Sequence, residues 1–215
     1  MDSKLENSHH NINVNIVIAM GFPLKGKVIF FATGNVNKFM EAKAVLSDYG
    51  IAVGMLRLKT LEIQSEDLEE IAKISVVETF RRLGLPVIVE DAGLFVEALN
   101  GFPGPYSSYV YRTIGNAGLL KLMENIANRK AIFYSVVAYL SEELDSPVCF
   151  KGEVKGEITT ISKGACMGFG FDPIFKPEDS EKTFAEMSIQ EKNQYSHRAK
   201  ALRKFAEWYK SFQKQ

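Results

Sequence analysis

Two adjacent carboxylates, Glu90 and Asp91, follow a short β-branched run in the segment VIVEDAGL. Mg²⁺ prefers such hard oxygen ligands and usually takes one or two protein carboxylates together with substrate phosphates and water. Neighbouring residues of a strand point to opposite faces, so only one acid can face a cleft unless the strand bends, and Ala92–Gly93 offers a place to bend. The alternative is a pair of surface acids at a strand end. Because the turn cluster NGFPGPYS follows closely, the sequence favours a functional pair, to which Glu62 and Glu66 could add ligands.

The stretch TGNVNK, residues 33–38, stands where a β-type run gives way to a helical pattern. The free N–H groups and the dipole of a helix N-terminus attract phosphate, Gly34 lets a ligand approach the backbone, and Lys38 adds a positive charge. The plainer alternative, which is favoured for this turn taken alone, is that Asn35 caps the helix while Lys38 lies in solvent. The turn is not a Walker loop, because the GxxxxGK[ST] spacing is absent.

The segment GFGFDP, residues 168–173, presents two aromatic side chains beside an acid on a glycine-rich loop. A purine can stack on Phe169 or Phe171, and Asp172 can accept hydrogen bonds beside it. The alternative is a β-turn whose aromatic side chains plug the core, and this is slightly favoured for the segment alone.

A cationic cluster, Lys192 with Ser196, His197 and Arg198, lies near the start of the last helical pattern. Lys192 and Ser196 are four residues apart and share a helix face, whereas His197 and Arg198 point elsewhere unless a helix begins at Ser196. The alternative for each residue taken singly is a solvated helix face.

The composition limits the partners of these residues. The chain has 215 residues, 46% of them hydrophobic, with 26 Lys+Arg against 26 Asp+Glu and a formal net charge of +0. Such a chain lacks the global charge of a nucleic-acid binder or membrane-surface protein, so phosphate binding must be local. Three histidines and two separate cysteines exclude a multi-histidine or zinc-ribbon centre, so any metal must be held by oxygen. With no apolar run near ~18 residues, we expect a cytoplasmic protein.

The hydrophobic patterns predict an α/β fold. VIFFA, the turn and a helix form the first unit, and a strand over 51–58 leads to a helix ending at Leu83. Its inward face is predicted to carry Ile71, Ile74, Val77 and Phe80. IFYSVVAYL and CFKGEVKGEIT predict an antiparallel pair, so the sheet should be mixed. Residues 1–26 are Asn-rich and then apolar, and we treat them as an N-terminal extension to a domain over 27–215.

Two capping-box patterns precede the last helix. Thr183 with Glu186, or Ser188 with Glu191, could each open it. We expect this helix to direct four side chains inward, namely Ala199, Leu202, Ala206 and Tyr209.

The four motifs together are more specific than any one of them. TGNVNK, EDAGLFVEALNGFPGPYSS, GFGFDPIF and KTFAEMSIQEKNQYSHRAKAL occur in this order, and the chain from Lys27 to about Tyr209 resembles the inosine triphosphate pyrophosphatase family. The resemblance implies a two-lobed α/β structure with a long mixed central sheet flanked by helices, a nucleotide cleft between the lobes, and a homodimer.

The resemblance also implies a role for each motif. Glu62 and Asp91 would hold Mg²⁺, and Asp91 would be the general base. Phe169 would stack on the purine beside Gly170, Phe171 and Asp172, with His197 and Arg198 near the 6-keto edge. Ala92 stands where many members have Ser or Thr, so only its backbone N–H remains for the substrate. The triphosphate would be held by Lys192 and by Thr33, Gly34, Asn35, Val36, Asn37 and Lys38.

The implied activity is Mg²⁺-dependent hydrolysis of ITP, dITP and XTP to the nucleoside monophosphate and pyrophosphate, which cleanses the nucleotide pool. The alternative is a purine nucleotide sensor of the same fold that binds without turnover. The joint presence of Lys38, Glu62, Asp91 and Lys192 argues against a sensor. A phosphohydrolase of another fold is disfavoured because a DxD nucleophile motif and a Walker loop are absent.

Overall fold

The computed structural model describes residues 28–58, 60–61, 63–164 and 168–214. The N-terminal extension predicted for residues 1–26 lies outside this range, as does Glu62. The strands are β1 (Ile29–Ala32), β2 (Val53–Leu56), β3 (Val87–Val96), β4 (Pro103–Gly104), β5 (Lys130–Leu140), β6 (Val148–Ile158) and β7 (Phe175–Pro177). The α-helices are α1 (Val36–Asp48), α2 (Leu68–Leu83), α3 (Ser107–Thr113), α4 (Gly115–Leu122), α5 (Ile189–Tyr195) and α6 (His197–Phe212). Single 3₁₀ turns lie at Glu97–Leu99, Asp172–Ile174 and Phe184–Glu186.

All described strands join one mixed sheet in the order β2-β1-β3-β5-β6-β7, and β4 pairs with β3. Strand β1 is parallel to both β2 and β3, whereas β3, β5, β6 and β7 are antiparallel neighbours. The predicted mixed sheet, the predicted β5–β6 pair and the predicted strand–turn–helix unit of β1 and α1 are therefore confirmed.

The long strands β3 and β5 serve two lobes. At one end of the sheet, side chains alternate between a core against α1 and α6, which includes Ile88, and a core against α2, which includes Val87 and Val89. At the other end, Leu94 and Phe133 join the core of the second lobe with α4 and the short segments before α5. Successive residues of a strand point to opposite faces, and here both faces of the strand are covered. The direction of each β3 side chain therefore follows from its position along the strand.

Three local predictions are corrected by the structure. The strand does not end or bend at Glu90–Asp91, because β3 pairs without interruption with β5 as far as Val96. Ile74 is exposed, because the buried stripe of α2 runs through Leu68, Ile71, Ala72, Ser75, Val76 and Thr79. Neither predicted capping box opens the last helix, since Thr183 caps the 3₁₀ turn and Ser188 caps α5.

Helix α6 begins instead after Ser196, whose hydroxyl accepts the N–H of Ala199 at 3.1 Å. The predicted inward residues Ala199, Leu202, Ala206 and Tyr209 are all buried. In the part of the chain that the structure describes, no helix has the length and apolar character needed to cross a bilayer.

Candidate active site

A cavity of about 960 Å³ opens beside the carboxyl end of β1 and the middle of β3. Val36 and Asn37 do not line it, and neither does Lys192. The structure brings together around it twelve of the residues predicted from the sequence: Thr33, Gly34, Asn35, Lys38, Asp91, Ala92, Phe169, Gly170, Phe171, Asp172, His197 and Arg198.

The turn before α1 is organised by its own side chains. Asn35 caps the helix, because its side-chain oxygen accepts the N–H groups of Asn37 at 2.9 Å and Lys38 at 3.2 Å. The N–H of Asn35 donates to the Thr33 hydroxyl at 3.1 Å. These bonds occupy the first helical N–H groups, so the part of the turn that faces the cavity is Thr33–Asn35.

Lys38 does not lie free in solvent, although the capping alternative assumed so. Its Nζ atom lies 2.9 Å from Oε2 of Glu90 and 3.4 Å from the Glu90 carbonyl oxygen. Asn35 therefore caps the helix, and Lys38, paired with Glu90, links the turn to β3.

Glu90 and Asp91 point to opposite faces of β3, as neighbouring strand residues must. Glu90 follows Ile88 toward α1 and α6, where its side chain is fully buried. Its carboxylate accepts the Ser135 hydroxyl at 2.5 Å and lies 3.1 Å from Nε of Arg198. Burial opposes ionisation, but Arg198 and Lys38 outweigh it and hold the pKa of Glu90 far below its usual range.

Asp91 lies on the other face and is half-buried in the cavity wall. Its Oδ1 atom accepts the N–H of Ala92 at 3.0 Å. Its backbone is held in the middle of the sheet opposite Val136. Of the two adjacent acids, Glu90 is committed to buried cations, whereas Asp91 presents a carboxylate to the cavity from a rigid strand.

The two aromatic side chains of the loop GFGFDP lie in different environments. Phe171 is buried in the second lobe and meets Tyr111 edge-on at 5.7 Å, so the core-plug interpretation holds for this residue. Phe169 is half-buried at the cavity and has the Lys192 ammonium 4.6 Å and the Arg198 guanidinium 5.4 Å from its ring centroid. Such cation–π contacts hold the ring in place from the side of the cations. Asp172 fixes the loop by accepting the Phe169 N–H at 2.9 Å.

Sequence reasoning missed Glu41, which is 3% exposed and joins the cationic cluster. Its carboxylate lies 2.7 Å from Nζ of Lys192 and pairs with Arg198. Burial opposes ionisation, but the two cations lower the pKa of Glu41. The sequence did contain a signal for this residue, since Glu41 lies beside Ala42 on the inward stripe of α1. A buried acid is almost always paired with a cation. The ion-pair network, buried except at the partly exposed Lys38, consists of Lys38, Glu41, Glu90, Asp172, Lys192 and Arg198.

His197 is buried and stacks flat on Phe133, with ring centroids 4.6 Å apart. Burial, reinforced by the positive charge of Arg198, lowers its pKa well below the ordinary value, so the imidazole is neutral near pH 7. The first turn of α6 reaches this position because Gly152 of β6 has no side chain. An added Cβ there would overlap the His197 carbonyl oxygen and lie 2.5 Å from the Ala201 nitrogen.

The oxygen donors suit a hard cation. Among the described residues, no three His, Cys, Asp or Glu side chains are grouped as a metal site. Mg²⁺ does not need such a group, because it commonly takes one or two protein carboxylates and completes its shell with phosphate oxygens and water. The Asp91 carboxylate at the cavity wall fits that donor set.

The chain is similar to known proteins over nearly its whole described length. The model of the Ham1 family matches residues 29–208. The dITP/XTP pyrophosphatase of Methanopyrus kandleri is 55% identical over 85% of this chain and 96% of that protein. The enzyme of the same name from Hyperthermus butylicus is 48% identical over 88% of this chain and 98% of that protein. The structure of the Ham1 protein from Staphylococcus aureus superposes with a TM-score of 0.72 at 30% identity, covering 86% of this chain and 99% of that one.

Proposed function

The chain belongs to the Ham1 family, and from that membership we propose that it hydrolyses non-standard purine nucleoside triphosphates such as ITP, dITP and XTP. The products are the nucleoside monophosphate and pyrophosphate. Relatives named dITP/XTP pyrophosphatase, 55% and 48% identical to this chain, support the substrate class. The observation that carries the proposal is one cavity whose wall brings together the Thr33–Asn35 turn, the Asp91 carboxylate and the Phe169 ring.

Asp91 is the general base in this proposal. Its carboxylate takes a proton from water, the water oxygen forms a bond to the α-phosphorus, and the bond from that phosphorus to the bridging oxygen of the β-phosphate breaks. Pyrophosphate leaves with the electron pair. Asp91 suits this role because its backbone is fixed by the β3–β5 pairing while its side chain faces the cavity. Glu90 does not suit the role of general base, because its carboxylate is paired with Lys38 and Arg198.

The cofactor of the proposal is a divalent cation, with Mg²⁺ as the specific choice. When bound, the cation would neutralise the negative charge that develops on the leaving phosphate group. Asp91 would hold it together with the substrate phosphates, and Glu62, outside the described residues, remains a predicted second ligand. The Thr33–Asn35 turn orients the phosphates from the other wall of the cavity, whereas the N–H of Ala92 is already bound by Oδ1 of Asp91.

Base discrimination in this proposal comes from the buried end of the cavity. Phe169 stacks on the purine through the ring face opposite its cations, and His197 and Arg198 meet the 6-oxo edge. Arg198 can donate only, so it satisfies a 6-oxo acceptor but opposes the 6-amino donor of adenine. Lys192 is proposed to act through Phe169 and Asp172, because it does not line the cavity.

The test is product analysis with Mg²⁺ and, separately, ITP, XTP, GTP and ATP. Pyrophosphate from ITP and XTP, with little from GTP or ATP, is the expected result. Orthophosphate from every nucleotide would contradict attack at the α-phosphorus. Tight ITP binding without any release would favour the sensor of the same fold.

The proposal includes the organisation of the protein. We expect residues 27–215 to form the catalytic domain, which the family match over 29–208 supports. We expect a homodimer in the cytoplasm, where the nucleotide pool lies. Sedimentation equilibrium at micromolar concentration tests the dimer, and a monomer mass throughout would contradict it.

A further inference from the structure

Four cationic side chains of the described residues line the cavity: Lys38, Arg57, Arg112 and Arg198. Lys38 pairs with Glu90, and Arg198 pairs with both Glu41 and Glu90. Their charge is thus already balanced by buried carboxylates before any substrate enters. A nucleoside triphosphate carries more negative charge than one divalent cation neutralises, so its tail requires positive charge beyond these two residues.

Arg57 and Arg112 differ from the other two cations. Both are exposed, and neither forms an ion pair with a carboxylate within the described ranges. Arginine presents a planar fork of donors that matches phosphate oxygens, so an exposed unpaired arginine on a cavity wall is suited to bind phosphate.

Arg57 lies beside the phosphate-binding turn through the register of the sheet. It follows β2 directly, and the carbonyl oxygen of the preceding residue, Leu56, accepts the N–H of Thr33 at 3.0 Å. The chain at Arg57 therefore lies next to Thr33, and the arginine lines the same cavity as Thr33–Asn35.

Arg112 lies on α3, which is fastened to β3 near Asp91. The Ser107 hydroxyl accepts the Leu94 N–H at 2.8 Å and donates to the Gly104 carbonyl oxygen at 2.7 Å. Nε of Arg112 donates to the Ser108 carbonyl oxygen at 3.3 Å, which draws the side chain back toward this fastened end of the helix. The rest of its guanidinium is left to contact a ligand in the cavity.

We propose that Arg57 and Arg112 bind the β- and γ-phosphates from two walls of the cavity and thereby select triphosphates over monophosphates. This inference rests on the proposed function, because it assigns the tail of the same substrate. The two arginines act on binding rather than on the proton transfer, so their loss raises KM more than it lowers kcat.

The test compares Arg57→Gln and Arg112→Gln with Arg81→Gln, a matched control. Arg81 is an exposed arginine in the last turn of α2 and does not line the cavity. Binding of inorganic tripolyphosphate is measured by calorimetry and requires no turnover. We expect each cavity variant to weaken tripolyphosphate binding and raise KM for ITP about tenfold, the cost of one charge-assisted contact.

Two controls keep the outcomes distinct. The affinity for IMP should be unchanged in both cavity variants, and Arg112→Lys should recover part of the lost tripolyphosphate affinity. A wild-type protein that binds tripolyphosphate through these arginines yet releases no pyrophosphate from ITP would overturn the proposed function and leave the phosphate site standing. Tripolyphosphate affinities equal to that of Arg81→Gln, or equal losses for IMP and tripolyphosphate, would overturn the phosphate site itself.

Discussion

The two ends of the cavity are built in different ways. At the end that the proposal assigns to the base (the base end), charged side chains are buried and paired with one another: Glu41, Lys192 and Arg198 are 3%, 3% and 2% exposed. At the end that it assigns to the phosphates (the phosphate end), a capped turn and exposed arginines face the cavity. The proposed ligand accounts for this difference. Bases differ by single donors and acceptors, which are read only by fixed groups away from water, whereas phosphates are recognised by charge.

The buried network at the base end is balanced in charge. Lys38, Lys192 and Arg198 face Glu41, Glu90 and Asp172. Removing ions from water is costly, and only near-complete pairing offsets that cost. Burial and the nearby charge of Glu41 raise the pKa of Asp172, although Lys192 opposes them. The base end is therefore stable only as a complete set of partners.

The largest expected effect lies between the two ends, at Asp91. Replacing it by asparagine removes the base and should lower kcat about 10²- to 10⁴-fold while the melting temperature stays near that of the wild type. The neighbouring variant Glu90→Gln is the matched comparison, and it should lower the melting temperature because it leaves Lys38 and Arg198 underpaired. Single-turnover pyrophosphate release and thermal melts measure both. An active Asp91→Asn enzyme would remove this residue from the mechanism.

The second prediction sharpens the contrast between buried and exposed ion pairs. Glu41→Ala leaves two buried cations without their shared partner, and should lower the free energy of unfolding by about 3–5 kcal/mol. Glu69 is the matched control, because it also bridges two cations, Lys73 and Lys151, but at the surface. Glu69→Ala should cost far less. Urea unfolding measures the free energy of unfolding of both variants. Equal decreases would show that burial does not determine how much these ion pairs contribute to stability.

The third prediction separates the two ends functionally. Phe169→Leu removes the aromatic face, and because stacking contributes about 1–3 kcal/mol per base, KM for ITP should rise about tenfold. The affinity for inorganic tripolyphosphate should not change, because that probe has no base. A parallel loss of tripolyphosphate affinity would mean that the two ends are not independent.

The smallest effect concerns pH. His197 is buried and neutral, with its pKa lowered well below 6.5. Below about pH 6.5 the imidazole takes up a proton in the unfolded chain but not in the folded protein. The contribution of the neutral His197 to stability is therefore complete above about pH 6.5. As the pH falls further, the free energy of unfolding declines by at most about 1.4 kcal/mol per pH unit. The facing charges are Arg198, Glu90, Lys192 and Lys38. His197→Asn should flatten the urea stability profile between pH 6.5 and 5, and an unchanged slope would contradict a neutral imidazole.

Local features of this structure were predictable from the sequence. The TGNVNK turn lies between a strand and a helix, and short-range periodicity placed the antiparallel pair β5–β6 correctly. Asn35 caps α1 with its side chain, as the capping alternative for the TGNVNK turn predicted. Each of these features depends on residues a few positions apart.

The arrangement of the base end was not predictable in the same way. The Arg198–Glu41 pair joins residues separated by 157 positions, and no local pattern specifies it. The strand through Glu90–Asp91 also continued where polar residues suggested an end, because Glu90 found buried cations rather than solvent. Tertiary pairing thus overrode the local rule that acids mark the end of a strand.

Gly152 has a consequence for altering the base preference of this protein. A mutagenesis library directed at the cavity lining would leave out this β6 position, which lies beneath α6 and does not line the cavity. Any larger residue there would lift the first turn of α6 from the sheet and displace His197 and Arg198 together. We therefore expect changes of base preference to come from side-chain exchanges in the cavity, on a backbone whose position Gly152 maintains.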